Sequence, residues 1–338
     1  MSTMPLVQVH GVDDVRIDQV GIPSPGPADV LVQVAACGIC GSDLGYIAQG
    51  GLASQGAPMP LGHEISGTVL SMGERVQHLT AGQRVTVNPM ANQRSIGNGG
   101  REGAFSPYLL VRDAAIYRAA VLPLPDAISF EQGAMIEPLA VAMHGVRQSR
   151  VQPGQAVAVL GAGPIGLSTV VALRHLGIDN ILVADLSARR LGVAEQLGAR
   201  ATCNVAETDL AEMLKQHHGV ERLMGAAVPG TDIYIEATGV ASVLTQCIAL
   251  AKQGAGVTVV GVHKEPIELH PLNLLIKELH LTGSMAYSDE FPAVIEMLAS
   301  DHVDIMPLVS HRFALAHFEA ALACASDPNH AIKVIVRP

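Results

Sequence analysis

The feature that most constrains the fold of this chain is the run GAGPIG. It places Gly161, Gly163 and Gly166 directly after the apolar segment AVAVL and directly before a helix-like segment. In a strand–turn–helix of this kind, the first glycine permits a tight turn, the second lets the backbone approach a pyrophosphate, and the third lets the helix pack on the strand. Pro164 and Ile165 begin that helix, whose free N–H groups and partial positive charge favour phosphates. The run therefore predicts a parallel βαβ unit that binds a dinucleotide.

The next predicted strand carries a second part of the same pattern. Asp185 ends the segment NILVAD, about twenty residues beyond the glycines, where a carboxylate binds ribose hydroxyls and repels a 2′-phosphate. This position favours NAD over NADP. Arg190, Thr238 of the segment EATG and Gly261 of the segment GVTVVGV are further candidate cofactor-binding residues. For Arg190 the alternatives are contact with a phosphate or a solvated charge on a helix face.

The pattern of segments predicts two domains, which 338 residues also favour because a single core rarely grows so large. Up to about residue 128, short β-branched runs such as VLVQVAA and EISGTVL alternate with Gly, Pro and Asn clusters, which predicts a barrel-like β unit. A helical segment begins after Ser129, which is placed to cap it. After Pro153, apolar strands alternate with helices, as in a doubly wound parallel sheet. The tail from Asp289 ends in the strand AIKVIVRP, which we expect to return to the first unit.

Composition excludes several classes of partner. The formal net charge is −10 and no basic stripe is present, so we expect no nucleic acid partner. The charge-free run from Val151 to Leu173 is long enough to span a bilayer, but its prolines and glycines divide it into strand, turn and helix. We therefore expect no membrane segment. The five cysteines follow no secretory signal, so we expect reduced thiols and a cytoplasmic location.

Candidate metal ligands are scattered through the first part of the chain. Cys40, His63, Glu64 and Glu137 supply the thiolate, imidazole and carboxylate groups that bind zinc, and a catalytic zinc keeps one position open. Such a scattered set is weak support for a site when taken alone. The spacing Cys37-x-x-Cys40 also fits half of a zinc knuckle or a redox pair, although the chain has no second C-x-x-C. Cys37 also fits the role of a small buried apolar residue.

Several ordered strings make the chain resemble one family over essentially its whole length. The strings CGICGSD, LGHEISGTV, EPLAVAMHGV, VLGAGPIGL, EATG and GSMAYSDEF resemble those of the zinc-containing medium-chain dehydrogenase/reductase family, in particular its butanediol, sorbitol and idonate dehydrogenase branch. The resemblance implies an α/β two-domain fold. A GroES-like β-rich catalytic domain, 1–149 and 286–338, would surround a Rossmann domain, 150–285, with a doubly wound parallel sheet.

The resemblance also implies the roles of individual residues. Cys40 and His63 would bind zinc, and Glu137, or a water that it holds, would complete the protein ligands. Because adjacent side chains on an extended chain point in opposite directions, His63 and Glu64 cannot easily both bind the metal directly, and we expect Glu64 to be an outer or exchangeable ligand. Ser42 matches the hydroxyl that bonds the substrate oxygen and takes up its proton.

Two departures from the family pattern change these expectations. The segment NPMANQRSIGNGGREGAF has none of the four cysteines that often hold a structural zinc, so we expect one catalytic zinc per subunit and a mobile loop. Gly45 stands where relatives often carry a histidine that ends a proton relay. His144 is expected to be structural.

The implied reaction is NAD-linked oxidation of a secondary alcohol, such as a vicinal diol or polyol, to a ketone. The implied assembly is a homodimer or homotetramer. The alternatives are a metal-free quinone or enone reductase on the same scaffold and a cofactor-binding protein without activity.

Overall fold

A computed structural model describes residues 2–52, 58–300 and 304–338 of the chain. The chain forms two compact units, Met1–Glu137 with Val309–Pro338 and Pro138–Leu308. None of the helices in the described ranges is long and apolar enough to cross a membrane.

The elements follow one another in three stretches. The first stretch is mostly strand: β1 (Thr3–Gly11), β2 (Asp14–Gly21), β3 (Val30–Ile39), α1 (Gly41–Gln49), β4 (Met59–Pro60), β5 (Glu64–Met72), β6 (Arg84–Val87), β7 (Tyr108–Val111), β8 (Val121–Pro123) and α2 (Phe130–Ala134). After α3 (Ile136–Ser149), strands and helices alternate: β9 (Ala156–Leu160), α4 (Pro164–His175), β10 (Asn180–Asp185), α5 (Ala188–Gln196), β11 (Ala201–Asn204), α6 (Leu210–His218), β12 (Val220–Leu223), β13 (Ala226–Pro229), β14 (Ile233–Glu236), α7 (Ala241–Leu250), β15 (Gly256–Val259), α8 (Pro271–Lys277), β16 (His280–Gly283) and α9 (Glu290–Ala299). The last stretch is β17 (Val309–Ala314), α10 (Phe318–Ala325) and β18 (Lys333–Arg337).

The first unit is built around β3. The larger of its two sheets runs β17-β18-β3-β5-β6-β8, with β7 also paired to β3, and the smaller runs β2-β1-β4. Most side chains of β3 are buried, as its β-branched sequence VLVQVAACGI predicts. The register places Gly38 opposite Glu64 on one side and opposite Ile335 on the other. Strands from distant parts of the sequence therefore meet at the end of β3.

The helical segment after Ser129 is divided in two. Ser129 caps α2 and forms a capping box with Gln132, as the sequence predicts. The helix then ends at Ala134, with Met135 as its C-cap, and α3 begins at Ile136. Pro138 lacks the N–H that would bond to the carbonyl of residue 134, which explains the interruption.

The second unit contains the predicted doubly wound sheet, and this fold class is confirmed. Its six strands run β11-β10-β9-β14-β15-β16, and all five neighbouring pairs are parallel. All five residues of β9 are buried, as expected for a strand covered on both faces. The strand order reverses between β9 and β14, and dinucleotides bind at such a switch point, beyond the carboxyl ends of the strands.

A hairpin of β12 and β13 precedes β14, and the sequence did not predict it. Met224 and Gly225 connect its strands with φ of 51° and 87°, which indicates a two-residue turn with both central residues left-handed. The segment VERLMGAAVP carries little apolar alternation, because most of its side chains are exposed. Without a buried face the strands leave no period-two signal.

The boundaries of the compact units differ from the expected domain boundaries at 149 and 286. Residues 138–149 and 286–308 pack with the second unit. His144 and Arg147 of α3 contact Glu290 at 3.0 and 3.2 Å. These contacts explain why the packing boundary lies before most of α3. The functional division at 149 and 286 stays a prediction.

Candidate active site

Three of the predicted metal ligands converge in the first unit. One donor atom from each of Cys40, His63 and Glu64 lies within 4.8 Å of the others, the one group of this kind among residues 2–52, 58–300 and 304–338. His63 and Glu64 are buried, while Cys40 is partly exposed. A thiolate, an imidazole and a carboxylate at this spacing suit a tetrahedral zinc ion with one position left for a ligand.

The donor atoms of His63 and Glu64 converge, although adjacent side chains on an extended chain would point apart. The role of Glu64 as an outer or exchangeable ligand stays a prediction. β5 begins at Glu64, and His63 precedes it, after Gly62 with φ of 97°. The chain at His63 is therefore not a continuous strand, and the alternation of side chains does not apply. Gly38 makes room for the Glu64 carboxylate, because a Cβ at Gly38 would lie 1.9 Å from Oε2 of Glu64.

Asp43 supports two of these residues, and the sequence interpretation missed it. Its fully buried carboxylate accepts a hydrogen bond from the backbone N–H of Cys40 at 2.9 Å and lies 3.5 Å from Nδ1 of His63. Burial opposes protonation of His63, but the Asp43 carboxylate raises the pKa of the imidazole well above its usual range. A carboxylate beside one ring nitrogen orients the other toward a metal. The available signal was the acidic residue three positions after Cys40, at the start of a helix.

Lys333 is a second residue that sequence reasoning missed. Its buried ammonium donates to Oε1 of Glu64 at 2.5 Å and to the carbonyl of Ile39 at 3.1 Å. Burial opposes its charge, but the Glu64 carboxylate raises the pKa of Lys333 above the usual value. The signal available in the sequence was one cation within the apolar strand AIKVIVRP, where a buried lysine requires an anionic partner.

Glu137 lies near the group without joining it. The three-residue cluster does not include its carboxylate, which is buried in the first turn of α3. Burial raises the pKa of Glu137 to about 7, which His63 opposes and Glu64 reinforces. Its role as a direct ligand or as the holder of a water stays a prediction.

The Ser42 hydroxyl lies 3.4 Å from Nε2 of His63, next to the convergent donor atoms. Both Ser42 and Tyr46 belong to α1, which begins after Cys40. The hydroxyl of Tyr46 donates to Oδ1 of Asn98 at 3.3 Å. Gly45 contributes no side chain, and a Cβ built there meets nothing within 4 Å. A side chain could therefore begin at this position without a clash at its Cβ.

The charges of this group fit a bound divalent cation. The carboxylates of Asp43, Glu64 and Glu137 are all buried, and Lys333 supplies one compensating positive charge. Oε2 of Glu64 is buried without a hydrogen-bond partner among the described residues. Buried anionic groups are costly unless they are paired or bind a metal. The residues present therefore fit a zinc ion.

The cysteine-free segment NPMANQRSIGNGGREGAF is anchored by side chains rather than by thiolates. Ile96 is buried, and ion pairs join Arg94 to Asp113 at 2.6 Å and Arg112 to Glu102 at 2.5 Å. The mobility of this segment stays a prediction.

The dinucleotide turn lies in the second unit, between β9 and α4. Gly161 has φ of 100°, and a Cβ at Gly166 would lie 1.8 Å from the carbonyl oxygen of Gly161, so both positions require glycine. At Gly163 a Cβ would meet nothing closer than Arg190 at 4.0 Å. Gly163 caps α4 and Pro164 is its first residue, which leaves the helix N-terminus available to phosphates.

The other predicted cofactor residues surround this turn. Asp185 accepts hydrogen bonds from the N–H groups of Ala162 at 2.6 Å and Ser187 at 2.8 Å, so its carboxylate is fixed against the turn. Thr238 approaches Gly161, because a Cβ there would lie 2.8 Å from Cγ2 of Thr238. Ile165 is the second residue of α4, Arg190 lies in the first turn of α5 and Gly261 follows β15.

His144 has the structural role expected for it. Its Nδ1 lies 3.0 Å from Oε1 of the buried Glu290, at the start of α9.

Two protein-family models match the chain. Residues 26–126 match the alcohol dehydrogenase GroES-like domain, and residues 164–300 match the zinc-binding dehydrogenase domain. The two matches fall on either side of α3.

Individual proteins resemble the chain along nearly its whole length. It is 36% identical to a sorbitol dehydrogenase of Pongo abelii, over 93% of this chain and 90% of that one. The crystal structure of 2R,3R-butanediol dehydrogenase from Bacillus subtilis is 32% identical, covers 99% of each chain and gives a TM-score of 0.87. A Sinorhizobium meliloti 1021 protein bound to NADP is 31% identical, covers 100% of each chain and gives a TM-score of 0.85. The resemblance indicated by the sequence strings is confirmed.

Proposed function

Because this chain belongs to the zinc-containing alcohol dehydrogenase family, we propose that it is a zinc-dependent, NAD-linked enzyme that interconverts secondary alcohols, specifically vicinal diols or polyols, and their ketones. The observation that carries the proposal is the convergence of donor atoms from Cys40, His63 and Glu64 within 4.8 Å. The substrate class follows from the sorbitol and butanediol dehydrogenases that the chain resembles.

The residues of the first unit would hold one zinc ion. Cys40, His63 and Glu64 would be its ligands, with Glu137 as a further ligand or as the holder of a water molecule. When bound, zinc supplies a Lewis acid that lowers the pKa of an alcohol and polarises a ketone. The Asp43 carboxylate lies 3.5 Å from Nδ1 of His63 and would orient the imidazole so that Nε2 is available to the metal.

Ser42 would handle the proton of the substrate alcohol. Its hydroxyl can accept that proton's hydrogen bond while donating its own proton onward. It lies 3.4 Å from Nε2 of His63, on the metal-binding side of the ring. Gly45 offers no group to receive the proton next, so we propose that it passes from Ser42 to water.

The glycine turn and Asp185 would bind NAD, which supplies the hydride acceptor. The backbone around Gly163 is open to a pyrophosphate, and the Asp185 carboxylate at the end of β10 favours a free ribose over a 2′-phosphate. One structural neighbour is bound to NADP and another is complexed with NADH, so the preference that we propose for NAD depends on local residues such as Asp185.

The test combines a zinc measurement with a substrate panel. The purified protein should contain one zinc per subunit and form NADH from vicinal diols and polyols faster than from simple secondary alcohols. Cys40→Ala should lose the zinc and at least about a thousandfold in activity, since a Lewis acid contributes several kcal/mol. Cys324→Ala, at a cysteine of similar partial exposure, is the matched control and should retain both.

Two outcomes would overturn the proposal. Full activity in Cys40→Ala would remove the zinc from the mechanism. A zinc-free parent protein that reduces enones or quinones would instead identify the metal-free reductase on the same scaffold.

We also propose that the enzyme is a cytoplasmic homo-oligomer, either a dimer or a tetramer. No disulfide occurs among the cysteines of the described ranges, as expected in a reducing compartment.

Within the described ranges β16 pairs only with β15, and Leu275 and Met285 near this edge are 73% and 83% exposed. An unprotected edge beside apolar side chains favours pairing with another copy. Mass photometry would show a monomer if this proposal were wrong.

A further inference from the structure

A buried carboxylate joins two loops at the carboxyl edge of the parallel sheet. Glu236 is the last residue of β14, and its side chain is fully buried. Oε1 accepts hydrogen bonds from the backbone N–H groups of Thr238 at 2.6 Å and Gly239 at 3.0 Å. Oε2 lies 2.8 Å from Nε2 of His263, in the loop after β15. One carboxylate therefore fixes the loop after β14 and binds the loop after β15.

The two loops are packed closely enough for one to set the position of the other. A Cβ at Gly261 would lie 2.2 Å from the backbone nitrogen of Gly239 and 2.7 Å from Oε2 of Glu236. The loop after β14 also reaches the dinucleotide turn, where Thr238 lies against Gly161. A displacement of the loop after β15 would therefore change the wall of the binding crevice.

The position in the sheet indicates which half of a dinucleotide these loops serve. The strand order reverses between β9 and β14, so β9, β10 and β11 form one mononucleotide-binding half and β14, β15 and β16 form the other. The glycine turn and Asp185 belong to the first half, which takes the adenosine. The loops joined by Glu236 belong to the second half, which takes the nicotinamide nucleoside.

The imidazole of His263 depends on this one hydrogen bond. Its Nδ1 is buried and has no hydrogen-bond partner in the part of the chain that the structure describes. An ionised Glu236 only accepts hydrogen bonds, so Nε2 of His263 carries the hydrogen and donates it. Removal of this contact leaves the side chain with no polar anchor and leaves Oε2 of Glu236 buried without a donor.

We propose that Glu236 and His263 form a positioning pair that holds the loop after β15 in the arrangement required by the nicotinamide half of the cofactor. The inference rests on the proposed dinucleotide binding and adds two residues to it. Neither residue is assigned contact with the reacting atoms. The hydrogen bond between them is what orders the loop.

The test measures binding rather than turnover. Isothermal titration calorimetry with NADH and with ADP, which lacks the nicotinamide nucleoside, separates the two halves of the site. His263→Ala should weaken NADH binding about tenfold, as expected for a hydrogen bond to a charged group, and change ADP binding by less than about twofold. His263→Gln can still donate to Glu236 and should bind NADH within about threefold of the parent.

A matched control separates this effect from general loss of structure. His175→Ala removes an exposed imidazole from the last turn of α4, at the opposite edge of the sheet, and should leave both affinities unchanged. Melting curves without cofactor would show whether each variant folds.

Each other result has a definite meaning. Equal losses for NADH and ADP in His263→Ala would show that the pair only stabilises the unit, and would overturn the inference. Failure of His263→Gln to restore NADH binding would show that the imidazole itself is required, and would also overturn it. If the parent protein bound neither NADH nor ADP, the proposed function would fail, and this inference with it.

Discussion

The candidate metal cluster of the first unit is formed by side chains, whereas the dinucleotide turn of the second unit is formed mainly by backbone. The turn consists mainly of backbone: three glycines within six residues, a helix N-terminus, and one carboxylate fixed by two backbone N–H groups. The cluster consists of the ionisable side chains of Cys40, between β3 and α1, and of His63 and Glu64 at the start of β5. Further buried charged groups come from α1, the start of α3 and β18. The residues of the turn are thus constrained mainly by the space available to the backbone. Those of the cluster are constrained by their charges and by the strand order that brings them together.

This difference predicts which substitutions each site tolerates. A methyl group added to the turn is harmful where it meets backbone, and a change of charge nearby matters less. In the cluster, an added methyl group acts by displacing a charged side chain. The following experiments test this contrast, beginning with the largest expected effect.

In the turn, Gly166→Ala should destabilise the second unit by about 3 kcal/mol or more and abolish NADH binding. The added Cβ would lie 1.8 Å from the carbonyl oxygen of Gly161, and backbone cannot move away as a flexible side chain can. Gly163→Ala is the matched control for stability, because its Cβ meets nothing closer than 4.0 Å. It should change the free energy of unfolding by less than about 1 kcal/mol yet still weaken NADH binding. Guanidinium unfolding and calorimetry measure the two effects, and a fully stable Gly166→Ala would contradict the contrast.

In the cluster, Gly38→Ala should weaken zinc binding about a hundredfold, comparable with the loss of a residue that supports a metal site. The Cβ would lie 1.9 Å from Oε2 of Glu64, so this carboxylate must leave the position where it meets Cys40 and His63. Competition with a coloured chelator gives the affinity. Gly41→Ala places a methyl group in open space in the same segment and should bind zinc as the parent does. Equal zinc affinity in both variants would show that Glu64 is not a ligand.

The pKa values of two histidines, one in each unit, also shift in opposite directions. Burial lowers the pKa of His218 to about 4, whereas Asp43 raises that of His63. Between about pH 6.5 and about pH 4 the imidazole of residue 218 is protonated in the unfolded chain but neutral in the folded one. The free energy of unfolding therefore decreases as the pH falls through this range. His218→Gln should lose about 2 kcal/mol less stability than the parent between pH 7 and pH 4.5. Urea unfolding at both pH values measures this, and parallel losses in the two proteins would contradict it.

The smallest effect is expected at Asp185. Asp185→Ser should raise the ratio of NADP to NAD use about tenfold, because the charge that repels a 2′-phosphate is gone. Asp185→Asn keeps one oxygen acceptor, for the N–H group of either Ala162 or Ser187, and is neutral, so it should raise the ratio as well. The values of kcat/KM with each cofactor provide the measurement. An unchanged ratio in both variants would show that Asp185 does not face the ribose.

The difference between a backbone turn and a cluster of side chains also explains how much of each site the sequence could predict. The glycines of the turn lie within one short stretch, and each is required by the local backbone geometry alone. The turn could therefore be predicted in detail. In the cluster, residue type and family resemblance identified Cys40, His63 and Glu64. Residue type does not report burial, and for that reason Asp43 and Lys333 were missed.

Two local errors have physical causes as well. Opposite orientations of His63 and Glu64 require an extended chain, but His63 lies outside β5 and follows Gly62, whose φ is positive. The hairpin of β12 and β13 was not predicted because its exposed side chains carry no periodic pattern. Both concern backbone conformations that apolar periodicity does not encode.

The ion pair of Glu64 and Lys333 joins residues 269 positions apart, which has a consequence for how the protein is made. As the chain leaves the ribosome, Cys40, His63 and Glu64 are all synthesised long before the lysine that balances them. Until β18 is added beside β3, the nascent segment carries an excess of negative charge at this point. A metal ion captured during translation would therefore meet a different electrostatic environment from the one that it meets after release.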